Sequence, residues 1–480
     1  MTSWIDRTFT VAFAIGLTAC GTPGAIIATP VQSPAVVAPT LTAAPTPISA
    51  SVPFNRSILV AYLDLQTDRM VLAAVDPNTG NRLAGNALVD LGAKFDYCFT
   101  PDGHTLIFTK YVSPNPSRGE LRFLDLSTWK DNFAILLLSA QATTALALSP
   151  DRSKLAVAFA QADGGSLWLV DTERRVVLAE TPTQALISTL KFTSDGLGLM
   201  EYERQRGSNG APGEGPPAVA RRSTHDLATE WFRSLSSVSD GFVPDPSAAG
   251  NPQESGAGSI FMPATVFAPD KDILYILHAD VPRLTRVDFG RQSVLTLDIR
   301  PRLSWFEGLL MASSTTVHAK AQNGIQLQAR ISPDGTMVYF DGLQTTVTEQ
   351  TRGTWVEMLT PLNLQAIRLK DASQVYQSTV TGGSLDLSAD GTRLLVPQTD
   401  SVAGAVTGTS ELDASTGYAT GRYQNLSLRF GTLIDGTPIL LSSTPGVSDP
   451  ASTQMTAMTP GHILLGSWAP PANAEWLIKP

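Results

Sequence analysis

The chain has 480 residues, 43% of them apolar and 16% charged, which is material enough for a packed core and argues against general disorder. A formal net charge of −9 argues against nucleic acid or anionic lipid as partners of the folded surface, because both need a basic footprint. Only two cysteines, Cys20 and Cys98, are present, so the fold must rest on its core rather than on a disulfide framework.

In chain order, residues 1–7 carry Asp6 and Arg7, and an uncharged run from Phe9 to Ala19 follows. That run is shorter than the roughly 20 residues a membrane span requires and fits the apolar region of a signal peptide over residues 1–19. It ends Leu17-Thr18-Ala19-Cys20-Gly21. This resembles the bacterial lipobox: an aliphatic residue, two small residues, then the cysteine that is acylated. The resemblance implies lipidation of Cys20, export, and attachment to the outer face of a bacterial membrane. Gly21 stands where diderm lipoproteins carry the Asp of inner-membrane retention. With Cys20 acylated, Cys98 has no partner and is expected as a buried structural thiol.

Residues 20–53 are rich in Ala, Thr and Pro, and no charge occurs between Arg7 and Arg56. Proline removes backbone donors and fixes φ, and no hydrophobic period is present. The segment reads as a tether with a reach of roughly 30 Å as a coil and about 100 Å if extended.

From there on one short pattern recurs. It reads Phe99-Thr100-Pro101-Asp102-Gly103, then Leu148-Ser149-Pro150-Asp151-Arg152, Phe192-Thr193-Ser194-Asp195-Gly196, Phe267-Ala268-Pro269-Asp270-Lys271, Ile331-Ser332-Pro333-Asp334-Gly335 and Leu387-Ser388-Ala389-Asp390-Gly391. A weaker copy is Leu433-Ile434-Asp435-Gly436. The chemistry is that of a tight turn. A hydroxyl or carboxylate accepts backbone N–H groups two residues on, Pro presets φ, and Gly takes positive φ. The six aspartates Asp102, Asp151, Asp195, Asp270, Asp334 and Asp390 are therefore expected to organise turns rather than bind calcium, which needs six to eight oxygens gathered in one place.

The flanks of these turns, such as Ala145-Leu146-Ala147-Leu148 and Leu155-Ala156-Val157-Ala158-Phe159, are apolar throughout. Such strands are covered on both faces. A third strand usually follows and ends in Asp, as in Leu167-Trp168-Leu169-Val170-Asp171, and turns such as Asp76-Pro-Asn-Thr-Gly80 lead into a fourth. Four antiparallel strands buried on both faces describe the blade of a β-propeller. The Ser-Pro-Asp-Gly turn with the Val-Asp-x-x-Thr-Gly hairpin resembles the repeats of Tol-type and YVTN-type bacterial β-propellers, WD-like in architecture. That resemblance implies an all-β fold over residues 54–480 and leaves function open.

The Asp-to-Asp intervals are 49, 44, 75, 64 and 56 residues. The 75-residue interval predicts a loop insertion at about 204–258. The first strands, Ile58–Leu63 and Met70–Val75, lack a preceding turn, so a chain end must supply the innermost strand of their blade. The count favours seven blades, with eight if the tail makes its own.

No nucleophile elbow, zinc motif or phosphate loop occurs, so no catalytic residue, metal or cofactor is assigned. Of five histidines, only His104 and His278 lie near a strand after a turn motif. Trp168 reads as interblade packing; Trp231 and Trp305 lie nearer irregular segments. Arg204, Arg206, Arg221 and Arg222 form the one basic cluster, inside the insertion, and are candidates for contact with an anion or partner. The expectation is a non-enzymatic envelope protein that binds a protein, peptide or glycan through one face. A hydrolase or lyase with its site at the axis, or a small-ligand sensor, are the alternatives.

Overall fold

A computed structural model describes residues 53–64, 67, 69–83, 87–92, 95–100, 103–114, 117–138, 142–161, 164–205, 213, 215–244, 258–300, 322–351, 354–399, 406–444, 454–469 and 474–477. The signal sequence, Cys20 and the tether to residue 52 lie outside them.

The described strands form eight four-stranded antiparallel blades, each running from an innermost to an outermost strand. Blade 2 is Phe95–Phe99, Thr105–Pro114, Ser117–Asp125 and Lys130–Leu138; blade 3 is Ala142–Leu148, Lys154–Gln161, Gly164–Asp171 and Val176–Thr183. Blade 4 is Leu186–Phe192, Gly198–Arg204, Ala218–Ser223 and Thr229–Ser234; blade 5 is Ala264–Phe267, Ile273–Leu277, Arg283–Asp288 and Ser293–Asp298. Blade 6 is Gln322–Ile331, Met337–Thr351, Thr354–Arg368 and Ser373–Gly382; blade 7 is Asp386–Leu387, Arg393–Thr399, Val406–Asp413 and Ala419–Gln424. Blade 8 is Ser427–Thr432, Pro438–Thr444, Gln454–Met458 and Leu464–Trp468.

Blade 1 joins the two chain ends. Its outer strands are Ile58–Asp64, Arg69–Val75 and Val89–Gly92, and its innermost strand is Glu475–Leu477. The closing register is short: Leu59 opposite Leu477, Val60 opposite Trp476, and Ala61 opposite Glu475. Strands of blades 1 and 2 are also joined by one parallel ladder pair, Gly92 with Tyr111.

The expected count of seven is thus corrected to eight. Each turn motif closes the first hairpin of one blade, from blade 2 to blade 8. Blade 1 has no such turn, because its first two strands come from opposite ends of the chain. The tail also builds a full blade, whose turn is the degenerate Leu433-Ile434-Asp435-Gly436.

Burial explains the apolar strands. Eight hydrophobic clusters occupy the eight interblade seams. Leu59, Leu72, Leu106, Phe108 and Leu124 fill the seam between blades 1 and 2. Ile58, Val60, Ile439, Leu441 and Met455 fill the seam between blades 8 and 1. Residues of both parities along a strand are buried, as at Leu155, Ala156, Val157 and Ala158, because each sheet is sandwiched between two others.

The interval expected as one loop insertion at 204–258 divides differently. Ala218–Ser223 and Thr229–Ser234 are the third and fourth strands of blade 4. The true additions are two short strands, Gly241–Pro244 and Gly258–Met262, which pair antiparallel. Gly258–Met262 then pairs in parallel with Gln322–Gln326, on the innermost strand of blade 6. Blade 6 therefore has a six-stranded sheet.

Candidate functional site on the loop face

Propeller topology gives two unlike faces. The first-to-second and third-to-fourth turns of every blade lie on one, here the turn face. The second-to-third connections and the crossings between blades lie on the other, the loop face.

The turn face is built by the repeated aspartates. Ser149 Oγ donates to Asp151 Oδ1 at 2.6 Å, Ser153 N donates to the same oxygen at 3.1 Å, and Lys154 N donates to Ser149 Oγ at 2.9 Å. The ladder repeats at Asp195 with Thr193 and Leu197 N, at Asp334 with Ser332 and Thr336 N, and at Asp390 with Ser388 and Thr392 N. Hydrogen bonds from the serine hydroxyls hold the Asp151 and Asp390 carboxyls down at about 2. Gly196, Gly335 and Gly391 take φ of +72°, +67° and +71°, and Arg152 takes +65° in the same place. Asp270 differs, because Ala268 has no hydroxyl; there Asp272 Oδ1 accepts Ser194 N of the neighbouring blade at 2.8 Å. Asp102 lies outside the described residues.

The arginine cluster turns out to be internal. Arg222, on the third strand of blade 4, places Nε 2.9 and 3.0 Å from the two oxygens of fully buried Glu201, with Glu203 3.5 Å from its Nη2. Burial pushes the Glu201 carboxyl up and Arg222 opposes it. Arg221 Nε lies 2.9 Å from Glu230 on the adjacent strand, and Arg204 Nε 2.8 Å from buried Asp240. Arg206 lies outside the described residues. The three described arginines hold blade 4 and its exit together instead of forming a loop patch.

Asp240 belongs to a polar chain at the loop face between blades 4 and 5. Tyr202 Oη donates to Asp240 Oδ2 at 2.6 Å beside Arg204. Ser239 Oγ donates to Asp280 Oδ2 at 2.5 Å. Asp280 Oδ1 faces His278 Nδ1 at 3.9 Å, and His278 Nε2 shares a 2.7 Å hydrogen bond with Thr285 Oγ1. Burial pushes His278 down to about 4, with Asp280 opposing, so the ring is neutral near pH 7. Burial also raises Asp240, against the pull of Arg204 and the Tyr202 hydroxyl. These bonds clamp Ser239 and Asp240 to the upper ends of two blades, directly before Gly241. They set where the added strands start.

Blade 6 carries the second addition. Its innermost strand pairs no higher than Gly324 opposite Thr345, and its outermost no higher than Gly382 opposite Leu362. The middle strands continue, with Thr346 opposite Met358, Val347 opposite Glu357, and so on to Thr351 opposite Thr354. Six further residues at about 3.4 Å each make an overhang of roughly 20 Å. Among the described residues no strand pairs with either of its outer edges. Gly241–Pro244 and Gly258–Met262 extend the innermost edge of the same sheet, beside Gln322–Gln326; the overhang and these two strands are together termed the β-ribbon platform. Its chemistry is that of unpaired main-chain N–H and C=O groups, able to take an added strand. Val243 and Met358 are exposed on it. No sequence signal marked Ser239, Asp240 or Asp280, which lie in no repeat.

Trp168 packs edge-on against Phe159 with centroids 5.5 Å apart, and Trp231 against Phe289 at 5.7 Å, both in interblade seams. Trp305 and His318 lie outside the described residues. His104 and His225 are exposed at turns. No group of three metal-ligating side chains converges among the described residues. Cys98 packs beside the cluster of blades 2 and 3, and burial pushes its thiol up to about 12.

No protein-family profile matches this chain, and no curated protein matches it. Solved structures do. A dihydro-heme d1 dehydrogenase, NirN, in complex with DHE is 13% identical, covers 91% of this chain and 78% of its own, and gives a TM-score of 0.50. The periplasmic gluconolactonase PpgL of Pseudomonas aeruginosa is 16% identical over 77% of this chain and 95% of its own, with a TM-score of 0.41. At such identity the likeness is one of fold, and the fold is the β-propeller.

Proposed function

We propose that the protein is an exported lipoprotein, held at Cys20 to the outer face of a bacterial membrane, whose Tol-type or YVTN-type propeller binds a protein, peptide or glycan partner without catalysis. The supporting observation is one of placement. The strands that depart from the repeat, Gly241–Pro244, Gly258–Met262 and the overhang at 346–358, all belong to the loop-face half of the fold. The chain enters at Phe54–Arg56 against Asp435 of blade 8, on the opposite face. A tethered propeller of this kind offers its distinctive surface away from the tether, and a rigid scaffold with variable additions on one side is a common design for binding. Unpaired ribbon edges favour an extended polypeptide among the three partner classes.

Two measurements test this. Cys20→Ala should abolish lipid labelling and move the protein from the membrane to the soluble fraction; unchanged retention refutes the anchor. Replacing residues 346–358 by a short Gly/Ser link should leave the melting temperature nearly unchanged and abolish capture of the envelope partner held by the intact chain. Full capture by the shortened chain refutes the loop-face reading.

A further inference from the structure

The four most exposed large apolar side chains among the described residues are Tyr418, Ile463, Leu197 and Leu464, at 77%, 68%, 67% and 59%. All four sit at tips of the turn face. Three of them belong to the third-to-fourth hairpins of two adjacent blades: Tyr418 follows the Asp413–Gly417 turn of blade 7, and Ile463 and Leu464 follow the Thr459–His462 turn of blade 8. Packing accounts for none of them, although the polar groups around them are satisfied. Asp413 accepts Ser415 and Thr416. Glu411 holds Arg393, the Tyr423 hydroxyl and His462 at 3.2, 2.9 and 3.1 Å.

The position of the chain end says what lies opposite these tips. Phe54–Arg56 rests on the first-to-second turn of blade 8: Asp435 N donates to Asn55 O at 2.8 Å, Ile434 N donates to Ser57 O at 3.0 Å, and Arg56 Nε lies 3.3 Å from Asp435 Oδ2. Pro53, the first described residue, thus lies at this corner of the turn face, and Cys20 precedes it by 33 residues. Of all parts of the propeller, blades 8 and 7 stand at the shortest chain distance from a membrane that holds Cys20.

We propose that the hairpins of blades 7 and 8 rest on the bilayer surface, with Tyr418, Ile463 and Leu464 in the boundary between headgroups and acyl chains. This rests on lipid anchoring at Cys20. Tyrosine suits that boundary because its ring is apolar and its hydroxyl wet. Three side chains on two hairpins would bind a free protein weakly, but the tether confines the propeller near the surface, and contact becomes an intramolecular event. The net charge of −9 selects zwitterionic lipid over anionic lipid. The contact orients the propeller, so that the β-ribbon platform on the loop face points away from the membrane.

The test uses the full lipidated chain in vesicles of phosphatidylcholine and phosphatidylethanolamine doped with a headgroup-nitroxide lipid. Tyr418→Cys, Ile463→Cys and, on the loop face, Met358→Cys are each labelled with nitrobenzoxadiazole. Cys98, a free thiol that is only partly buried, is replaced by serine in all three variants. Each site is exposed in the folded chain, so substitution leaves the fold intact. The labels at 418 and 463 should lose most of their emission to the nitroxide, and the label at 358 should keep it. Equal quenching at all three sites, or none at 418 and 463 in protein that floats with the vesicles, overturns the contact while leaving the anchor standing. Wild-type protein that fails to float removes the anchor and the contact with it.

Discussion

Leu477→Ala tests how the ring is held shut. Leu477 is 4% exposed and lies in one cluster with Leu59, Leu72, Leu91 and Leu106. The strand that carries it meets blade 1 through only three residue pairs, so few other contacts compensate. Truncating a buried leucine to alanine costs about 2–5 kcal/mol, the transfer term plus the cavity. A propeller of roughly 420 residues with about 2.1 cal/mol/K of unfolding entropy per residue moves about 1 °C per kcal/mol, so the melting temperature should fall by about 2–5 °C. Thermal unfolding followed by circular dichroism reads this directly. Ile463→Ala is the control: that side chain is 68% exposed and should change stability by less than about 0.5 kcal/mol. If both variants melt with the wild type, the C-terminal strand does not close the ring, and the assignment of the eighth interface fails.

Arg222→Ala should cost about 1–3 kcal/mol in urea unfolding, because it leaves the buried Glu201 carboxyl without its partner and the carboxyl takes up a proton instead, whereas Arg221→Ala, beside the half-exposed Glu230, should cost far less; equal costs would contradict the buried pair. His278 is held down at about 4 in the fold against about 6.5 unfolded, so between those values the unfolded chain takes a proton that the native chain refuses. Stability should therefore decline as pH falls from about 6.5 to about 4, and His278→Gln should flatten that slope; an unchanged slope places the titration elsewhere. The turn carboxyl of Asp334 is lowered chiefly by its bond from Ser332. Its contribution is present above about pH 4 and lost on further acidification. Asp334→Ala should cost about 1 kcal/mol at neutral pH and release no metal, and a stoichiometric metal lost on substitution would overturn the turn assignment.

Local patterns were legible in the sequence, and long-range pairings were not. The hydroxyl-x-Asp turns and the strands apolar on both faces announced the propeller, because each hydrogen bond there spans only two to five residues. Blade 8 escaped the count because its turn, Leu433-Ile434-Asp435-Gly436, lacks both the hydroxyl residue and the proline, whereas the turn of blade 5 keeps Pro269 beside Ala268. Blade 1 offered only a deficit, two strands without a turn, and the need for a chain end followed from it, although not which one. Arg221 and Arg222 read as a loop patch because the Gly- and Pro-rich stretch 207–217 precedes them. Yet Ala218-Val219-Ala220 was already a buried strand, and the arginines continue it toward Glu201 and Glu230. The added strand Gly258–Met262 meets its partner at Gln322–Gln326, 64 positions later and in parallel, a pairing that leaves no period in either segment. Ser239, Asp240, His278 and Asp280 converge only because blades 4 and 5 are neighbours.

The central claim is that the loop face is the binding face and the turn face is the tethered one. A photo-crosslinking amino acid placed singly at Met358 and at Leu197, 45% and 67% exposed on the loop face and the turn face respectively, tests it within the intact envelope. The account predicts a discrete partner adduct from position 358 and none from position 197. An adduct from position 197 alone, or the same adduct from both positions, would contradict it.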